Sequence, residues 1–520
     1  MSEADSARPL PAHDRKALPP HDSTYQPDEG RLYCRDLPST PNPSIGTVLV
    51  TGGTGYIGGR LIPELLARGY KVRVMVRGRS PEHAERWPNA EVVVADASDI
   101  TSLSAALNGV HTAYYLIHSL LLGPGEFEAT DLANASHFRR AATQNGLSRI
   151  IYLGGLGDVR TYLSPHLRSR ARVAEELASG AVPTTVLRAA VIIGSGSASY
   201  EIIQHLVRRL PVLLIPRWGH TKCQPISIRD VVKYLVGVLE KPETSGVSFD
   251  IGGRDVLTYE MMLQILADIL GKKRLFITLP VSGLRFFAYL AGVFTPVPAP
   301  ITRSLMEGLR NDVVCHDDRI TSILPFEMLS YRDAIVRALS REDQDAVYTR
   351  WSDAYPPAHQ LAMQLHELST APRFMAKSSL LTTKQDEALF RSVCRIGGKE
   401  GWFHGNWMWR LRGMLDRLLM GVGTARGRRS SSRLRVNDVI DFWRVEDLAP
   451  KRRLLLRAEM KLPGRAWLEF RIDPEGGKNR LSVKAHYDTR TLVGKIYWYV
   501  FLPFHWYIFA RLLRQIEKRS

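Results

Sequence analysis

Cysteine is scarce in this chain. Four cysteines occur in 520 residues, far apart and without a Cys-x-x-Cys pair (Cys34, Cys223, Cys315 and Cys394). A disulfide framework needs closely patterned cysteines and a cysteine-based zinc site needs paired ones, so the sequence argues against both. The scarcity is typical of a reducing compartment, and we therefore expect a cytoplasmic protein with no metal site.

The chain also lacks an uninterrupted apolar run of spanning length. The N-terminus shows no apolar signal-peptide core. Two apolar stretches, 279–294 and 496–510, fall short of the roughly 20 residues that a membrane-spanning helix needs, and proline or charged residues break them. We interpret the first as part of a cap and the second as the core-facing start of a final helix. For 496–510 an interfacial membrane anchor is the alternative.

Basic residues outnumber acidic ones, most strongly in the last part of the chain. The net charge is +18, and residues 381–520 hold 29 basic and 14 acidic side chains together with seven of the ten tryptophans. A basic, tryptophan-rich segment suits an anionic membrane surface or nucleic acid, and nucleic acid is disfavoured because no helix-turn-helix or RNP-type motif is present. The arginine-rich loop 426–433 is either a solvated face or a contact for lipid head groups.

Composition divides the chain into four regions. Residues 1–44 have almost no apolar periodicity and predict a disordered arm. Residues 45–345 alternate apolar strand-like runs with helical stretches, which predicts an α/β doubly wound parallel sheet followed by a helical cap. After a polar linker at 346–380, residues 381–520 predict an α+β domain with an antiparallel meander and a last helix. The expected strands are 47–50, 71–76, 91–94, 112–116, 149–153, 184–188 and 247–250 in the first domain, then 433–445, 450–460, 464–473 and 480–490 in the second.

The most informative motif is a glycine-rich turn at 51–58, between the apolar strand 47–50 and a helical stretch at 60–67. Such a turn lets backbone N–H groups approach a pyrophosphate, and the helix N-terminus favours its negative charge. This context predicts a dinucleotide site; a plain tight turn without a ligand is the alternative. The predicted binding residues of the turn are Gly52, Gly55, Tyr56, Ile57 and Gly58.

Two arginines follow the second strand. Arg77 and Arg79 stand where an NAD site commonly has an acidic residue for the ribose 2′-OH. A cation there suits a 2′-phosphate, so NADP is favoured over NAD, and two exposed surface arginines are the alternative. The third strand leads into Asp96 and Ala97, where side chains commonly meet the adenine. Asp96 equally suits a helix N-cap.

These motifs, with the strand that leads into Ile117 and His118, resemble the short-chain dehydrogenase/reductase superfamily in its extended and atypical branches. The resemblance covers about 46–345 and is closest to NmrA-like proteins and to the 39-kDa subunit of respiratory complex I. It implies a Rossmann fold with a substrate cap and an NAD(P) cofactor that Ile117 also contacts. It further implies oxidoreductase chemistry, which we expect to act on a hydrophobic carbonyl or quinone-like compound.

The chain departs from this family at the catalytic positions. Active members use a Tyr-x-x-x-Lys pair, in which the tyrosine moves the proton, plus a serine or threonine after the fifth strand. Here that strand ends in two glycines, and by spacing His166 replaces the tyrosine and Arg170 the lysine. Arg170 retains a cation for the ribose, and His166 is suited to acid or base chemistry near neutral pH. The alternative is that His166 only begins a helix and that the protein is a non-catalytic NADP-sensing regulator or assembly factor, or a lipid- or isoprenoid-binding protein at a membrane surface.

Aromatic strings in the last region resemble an uncharacterised domain that is found behind such Rossmann domains and is similar to the START/Bet v 1 group. They lie at 401–413, 441–445, 461–470 and 497–505. The resemblance implies an antiparallel sheet that grips a long C-terminal helix around an apolar cavity. We therefore expect a hydrophobic small molecule as a second ligand.

Overall fold

The computed structural model describes residues 32–78, 81–118, 127–157, 163–280, 283–297, 299–343, 349–353, 365, 368, 370–398, 400–419, 421–423 and 434–520. Residues 33–520 form one compact unit. The disordered arm was expected to reach residue 44, yet Cys34 and Leu37 are buried and the Cys34 N–H donates to Glu64 Oε2 at 3.2 Å. The segment 33–44 is therefore anchored to the domain through Cys34 and Leu37, and the predicted arm at 1–31 lies outside the described residues.

The first part of the chain alternates strands and helices as predicted. Its strands are β1 Thr47–Val50, β2 Lys71–Val76, β3 Glu91–Val94, β4 Val110–Tyr115, β5 Arg149–Gly155, β6 Thr184–Ala189, β7 Ile192–Ile193, β8 Val212–Pro216, β9 Lys222–Cys223, β10 Ile226–Ser227, β11 Ser248–Ile251, β12 Leu257–Thr258 and β13 Leu275–Leu279. Its helices are α1 Gly58–Ala67, α2 Pro81–Arg86, α3 Ile100–Leu107, α4 Phe127–Gln144, α5 Pro165–Ala178, α6 Ala198–Arg209, α7 Ile228–Glu240, α8 Tyr259–Ile269, α9 Leu284–Phe294, α10 Ala299–Gly308, α11 Arg319–Ile323 and α12 Tyr331–Asp343.

Seven of these strands form one parallel sheet in the order β3-β2-β1-β4-β5-β6-β11. The predicted doubly wound sheet is confirmed, and each strand lies within two residues of its expected bounds. Helices cover both faces. Leu61 of α1 and Val231 of α7 belong to the core on one face, and Leu103, Phe138 and Leu177 of α3, α4 and α5 belong to the core on the other. Burial on both faces explains why the strands are apolar along most of their length.

A mainly helical cap follows β6. Its core includes Tyr200 of α6, Met262 of α8 and Ile335 of α12, and β8 pairs with β13 at its side. The apolar stretch 279–294 contributes α9, which packs against α10 as part of this cap. In the described part of the chain, no helix combines the length and apolar character that crossing a membrane requires.

The last part of the chain is an antiparallel sheet with helices. Its strands are β14 Phe374–Thr382, β15 Val439–Ile440, β16 Trp443–Ala449, β17 Arg453–Ala458, β18 Arg465–Glu475 and β19 Lys478–Asp488, and its helices are α13 Asp386–Val393, α14 Asn406–Leu418 and α15 Leu492–Lys518. The spatial order β14-β19-β18-β17-β16-β15 confirms the antiparallel meander. The single strand expected at 433–445 is wrong, because Asn437 and Asp441 have φ values of 70° and 56°, which break an extended chain.

The final helix has two different halves. Its second half packs Phe509, Leu512 and Ile516 into the core of the antiparallel sheet. In its first half Trp498 is buried, but most apolar side chains between 492 and 507 are exposed. The interpretation of 496–510 as a core-facing helix start is therefore wrong for most of its length.

Candidate functional site

The candidate site lies where the strand order of the parallel sheet reverses, between β1 and β4. Ligands of open α/β sheets bind at this point, outside the carboxyl ends of the strands. Thr51, which follows β1, joins the two strand ends: its Oγ1 donates to Tyr114 O at 3.0 Å and accepts from Leu116 N–H at 2.9 Å. The buried threonine hydroxyl thus holds the entry of the glycine-rich turn against the end of β4.

The turn at 51–58 is packed so closely that several of its positions need glycine. Gly52 has a φ of 63°, and a Cβ there would lie 2.7 Å from Leu116 O. A Cβ at Gly58 would lie 2.5 Å from Gly52 O. The Gly55 N–H donates to Gly52 O at 2.9 Å and closes the turn. The backbone of the turn therefore lies directly against the N-terminus of α1, as phosphate binding requires.

Three backbone donors are available at this helix N-terminus. Among the hydrogen bonds of the described residues, the N–H groups of Tyr56, Ile57 and Gly58 are not donated to any carbonyl. They precede or open α1, where the helix dipole adds partial positive charge. These donors are suited to the oxygens of a pyrophosphate.

The Tyr56 side chain packs against Arg60 of α1. The Arg60 guanidinium lies 4.2 Å from the centre of the Tyr56 ring, and burial raises the pKa of the phenol to about 12. Arg60 is itself buried and donates to Ser195 O at 2.8 Å and to Thr349 O at 3.1 Å. The Tyr56 ring therefore has a packing role.

A short segment after the cap, residues 349–353, also contacts the glycine-rich turn. Thr349 Oγ1 donates to Tyr56 O at 3.0 Å, and Trp351 Nε1 donates to Glu201 Oε2 at 2.7 Å. On the other side, Arg444 of β16 donates to Ser352 O at 2.8 Å. The segment 349–353 thus connects the back of the glycine-rich turn with the antiparallel sheet. Sequence reasoning missed this connection, because 349–353 lies in the polar region that we took for a linker.

The ends of β2 and β3 hold the residues predicted to meet the adenosine part. Arg77 directly follows β2 and is exposed, whereas Arg79 lies outside the described residues. Asp96 follows β3, and its Oδ1 accepts from the N–H and the hydroxyl of Ser98 at 2.8 and 2.7 Å. The N-cap alternative for Asp96 is wrong, because Asp99 caps α3. Ala97 is buried beside it.

A cluster of polar side chains lies after β4 and at the start of α5. His118 Nδ1 is 3.1 Å from Asp131 Oδ2 of α4, and the Ser169 hydroxyl donates to the same oxygen at 3.5 Å. The His118 and His166 rings are 5.3 Å apart between centroids. His118 Nε2 and His166 Nδ1 are both buried, and neither has a hydrogen-bond partner among the described residues. Buried ring nitrogens that lack a partner are unusual and indicate a functional site.

Burial holds both imidazoles neutral. Desolvation, with a smaller contribution from the Arg170 guanidinium, lowers the pKa of His118 to about 4. Desolvation, with the nearby His118 and Arg170, lowers the pKa of His166 well below its usual range. A carboxylate only accepts hydrogen bonds, so an ionised Asp131 selects the His118 tautomer with the proton on Nδ1. That tautomer leaves His118 Nε2 with a free lone pair.

Arg170 is tied to the end of β5. Its Nη1 donates to Leu153 O at 3.0 Å, and its backbone carbonyl accepts from the Tyr152 hydroxyl at 3.3 Å. A Cβ at Gly155 would lie 3.0 Å from Leu167 Cδ2, so α5 packs closely against the strand end where active family members have a hydroxyl. The missing serine or threonine is thus replaced by a close helix–strand contact.

The structure brings the predicted residues to one edge of the sheet. The turn, Arg77 and Asp96 lie at the ends of β1, β2 and β3, and Ile117 follows Leu116, whose carbonyl abuts Gly52. His166 and Arg170 lie on α5, next to His118. Sequence reasoning missed the pairing of His118 with Asp131, although His118 stands at the end of a predicted strand.

A glycine-rich turn and a helix N-terminus at the switch point of a parallel sheet define an NAD(P)-binding protein of the short-chain dehydrogenase/reductase type. The chain belongs to the NmrA-like family, whose model matches residues 44–310. Residues 372–512 match a second model, described as a protein of unknown function, DUF2867.

Three known proteins illustrate the similarity. A mitochondrial NADH dehydrogenase [ubiquinone] 1 alpha subcomplex subunit 9 of Arabidopsis thaliana is 26% identical over 54% of this chain and 75% of its own length. The chloroplastic divinyl chlorophyllide a 8-vinyl-reductase of Zea mays is 28% identical over 45% of this chain and 62% of its own length. A nucleoside-diphosphate-sugar epimerase structure from Staphylococcus aureus has a TM-score of 0.47 at 17% identity and covers 56% of this chain and 99% of its own length.

Proposed function

We propose that the protein is an NADP-dependent oxidoreductase that acts on a hydrophobic carbonyl or quinone-like compound. The observation that supports this most is the pair of half-buried imidazoles of His118 and His166, whose rings lie 5.3 Å apart and whose pKa values desolvation lowers. The similarity to a plant reductase favours the same class of reaction. NAD is the second choice of cofactor.

The bound nicotinamide supplies a hydride, and the chain supplies position and a proton. The N–H groups of Tyr56, Ile57 and Gly58 bind the pyrophosphate, and Arg77 binds the 2′-phosphate. His166 donates an N–H hydrogen bond to the carbonyl oxygen, as a neutral imidazole can. With hydride supplied by the nicotinamide, this oxygen would take the His166 proton and the imidazole would regain one from solvent, so the carbonyl would gain one hydride and one proton and become an alcohol. Arg170 holds the ribose through its guanidinium.

The preference for NADPH over NADH tests the proposed role of Arg77. Calorimetry is expected to show that NADPH binds at least about tenfold more tightly than NADH, because a charge-assisted contact to phosphate contributes roughly 1.5–3 kcal/mol. Arg77→Ala should remove that preference, whereas Arg452→Ala, which changes an exposed arginine of the antiparallel sheet, should leave it unchanged. Equal affinities in the wild-type protein would contradict the role of Arg77.

The proton-transfer role is tested on His166. His166→Ala is expected to abolish NADPH-dependent reduction of a quinone or aldehyde panel while NADPH affinity persists. His111 stands at the opposite end of β4 from His118, so His111→Ala is a matched control that should retain turnover. Full activity of His166→Ala would refute the assignment.

A non-catalytic NADP sensor or assembly factor is the second candidate. The close contact of Gly155 with Leu167 favours it, because a side chain bearing the usual hydroxyl would press on Leu167 there. The similarity to a subunit of a respiratory complex supports the same candidate. Tight NADPH binding without oxidation of NADPH by any member of the substrate panel would favour this function over the first.

For residues 372–512 we propose a START/Bet v 1-like fold that holds a hydrophobic small molecule. The support is the six-stranded antiparallel sheet, whose strands β14 and β19 pack against the long helix α15. We further propose that the protein works in the cytoplasm, at the inner face of a membrane. Native mass spectrometry of the purified protein tests the ligand: a retained apolar molecule is expected, and its absence from several preparations would contradict the cavity. The arginine-rich loop 426–433 lies outside the described residues.

A further inference from the structure

Two helices of the antiparallel part turn apolar side chains toward solvent. In the described part of the chain, fourteen of the twenty-three exposed large hydrophobic side chains lie on α14, directly after it, or on the first half of α15. Their exposed fractions run from 43% to 72%. Contiguous exposed apolar surface of this kind marks an interaction site, whereas scattered single residues do not.

The apolar stripe of α14 is directed outward. Trp407, Leu411 and Leu418 are spaced four and seven residues apart, so they share one face of the helix, and all three are exposed. Gly413 and Asp416 are buried on the other side. An amphipathic helix of a soluble domain normally turns its apolar side chains to the core. α14 packs Met408 and Trp409 against the core, yet it also turns this second apolar stripe to solvent.

α15 continues the same surface. Ile496, Tyr499 and Trp506 are 56% to 62% exposed. Arg412 Nε donates to Tyr497 Oη at 3.4 Å, and the His404 and Tyr507 rings are 5.7 Å apart. His404, just before α14, thus lies near Tyr507, and Arg412 of α14 lies near Tyr497, so the two segments approach each other in antiparallel order. We call their outward apolar side chains the α14–α15 face.

The charges beside this face have one sign. Residues 489–516 contain no acidic side chain, and Arg490, Lys495, Arg511 and Arg514 are exposed along them. On α14, Arg410 is exposed and the one acidic residue, Asp416, is buried. Apolar side chains with tryptophan and tyrosine among them, bordered by lysine and arginine, suit the interface of a bilayer with anionic lipids.

We propose that the α14–α15 face is a docking surface for an anionic lipid bilayer. The helices lie in the plane of the interface, with the apolar stripes among the acyl chains and the basic side chains at the phosphates. A second copy of this chain fits less well, because a symmetric contact would bring the same positive charges together. The α14–α15 face shares no residue with the nucleotide site. Docking on a bilayer would therefore leave that site free, and it would bring the proposed reductase to hydrophobic substrates dissolved in the lipid.

Sedimentation of the full chain with phospholipid vesicles tests the proposal. Vesicles of phosphatidylcholine and phosphatidylglycerol are expected to bind the protein at low salt, and vesicles of phosphatidylcholine alone to bind it weakly. Added salt should weaken binding to the anionic vesicles, because it screens the charges. No binding to anionic vesicles at low salt would overturn the proposal.

Two sets of substitutions identify the face. Trp407→Ser combined with Trp506→Ser should weaken binding to anionic vesicles at least about tenfold, because both indoles leave the interface. Arg490→Gln, Lys495→Gln and Arg514→Gln together should weaken it by roughly 100-fold, at about fivefold for each cation. Equal binding by both variants and the wild-type protein would overturn the proposal.

Matched controls distinguish binding through the α14–α15 face from non-specific binding by other exposed apolar side chains and from effects on the nucleotide site. Leu275→Ser combined with Met375→Ser removes two side chains of 57% and 58% exposure elsewhere and should leave vesicle binding unchanged. All variants should keep the wild-type melting temperature and NADPH affinity, so that loss of lipid binding and failure of the NADP assignment remain distinguishable. A dimer in light scattering that the tryptophan variant dissociates would assign the face to a second copy and overturn the proposal.

Discussion

Gly58→Ala tests most directly whether the glycine-rich turn is a phosphate site. The new Cβ would lie 2.5 Å from Gly52 O and 2.9 Å from Gly52 C and Gly53 Cα, all of them backbone atoms that cannot rotate away. Ordinary contact begins at 3.4 Å, so the turn must move by about 0.9 Å from the start of α1. Thr51 resists this movement, because its hydroxyl bonds the end of β4.

The displacement has two measurable consequences. Overpacking of this kind costs roughly 1–3 kcal/mol of stability, which lowers the melting temperature by about 2–4 °C per kcal/mol. A pyrophosphate contact that forms at about 2.9 Å would lengthen to about 3.8 Å and cease to be a hydrogen bond. Since a hydrogen bond to a charged group contributes roughly 1.5–3 kcal/mol, we expect NADPH to bind about 10- to 100-fold more weakly.

Calorimetric titration with NADPH and thermal unfolding measure both effects. Gly283→Ala is the matched control for binding, because no atom lies within 4 Å of the Cβ that it adds, and it should leave NADPH affinity unchanged. Gly55→Ala should have a smaller effect, since its Cβ would lie 3.2 Å from Gly52 O. A Gly58→Ala protein that melts earlier but binds NADPH normally would refute the reasoning and leave a plain structural turn.

Three further perturbations address the turn and the pH response. Gly55→Asp should abolish NADPH binding in calorimetry, because a carboxylate would meet the pyrophosphate. Thr51→Val removes the hydroxyl that joins Tyr114 O and Leu116 N–H and should lower the free energy of urea unfolding by about 1–3 kcal/mol, since a buried N–H loses its partner. Burial lowers the pKa of His505 to about 4 from the usual 6.5, so the stability it contributes is complete above pH 6.5 and is lost as the pH falls toward 4. His505→Phe should therefore flatten the fall in unfolding free energy over that pH range.

Each of these has its own control. Gly55→Asn, which is uncharged, should retain more NADPH affinity than Gly55→Asp; identical losses would point to bulk and not to charge. Thr51→Ser keeps the hydroxyl and should remain close to the wild-type stability. If the unfolding free energy of His505→Phe falls as steeply with acid as that of the wild-type protein, other groups dominate the acid response.

The sheet and the turn could be predicted because their patterns are local. Strands buried on both faces leave continuous apolar runs such as 47–50, and the glycine-rich turn occupies eight consecutive residues. The start of α5 is likewise encoded locally. Ser164 caps that helix by accepting from Leu167 N–H at 3.3 Å, and Pro165 opens it, a local pattern that the sequence contains and that we did not use.

Other features could not be predicted because they join distant residues. β14 pairs with β19, about a hundred residues later, and no nearby pattern marks this partner, so 374–380 was taken for linker. The contact of His118 with Asp131 links a strand end to a helix that begins after residues outside the described part. The outward apolar stripe of α14 runs against the usual rule, and periodicity alone does not tell which side of a helix is covered.

The segment 349–353 determines where the chain can be cut. The buried Arg60 guanidinium depends on Thr349, and Trp351 satisfies the buried Glu201 carboxylate. A truncated protein that ends at residue 345 would leave both charges short of partners behind the nucleotide turn, whereas one that ends at residue 353 keeps them. Residues 349–353 therefore belong structurally to the nucleotide-binding half, although the hydrogen bond from Arg444 to Ser352 O also connects them to the antiparallel sheet.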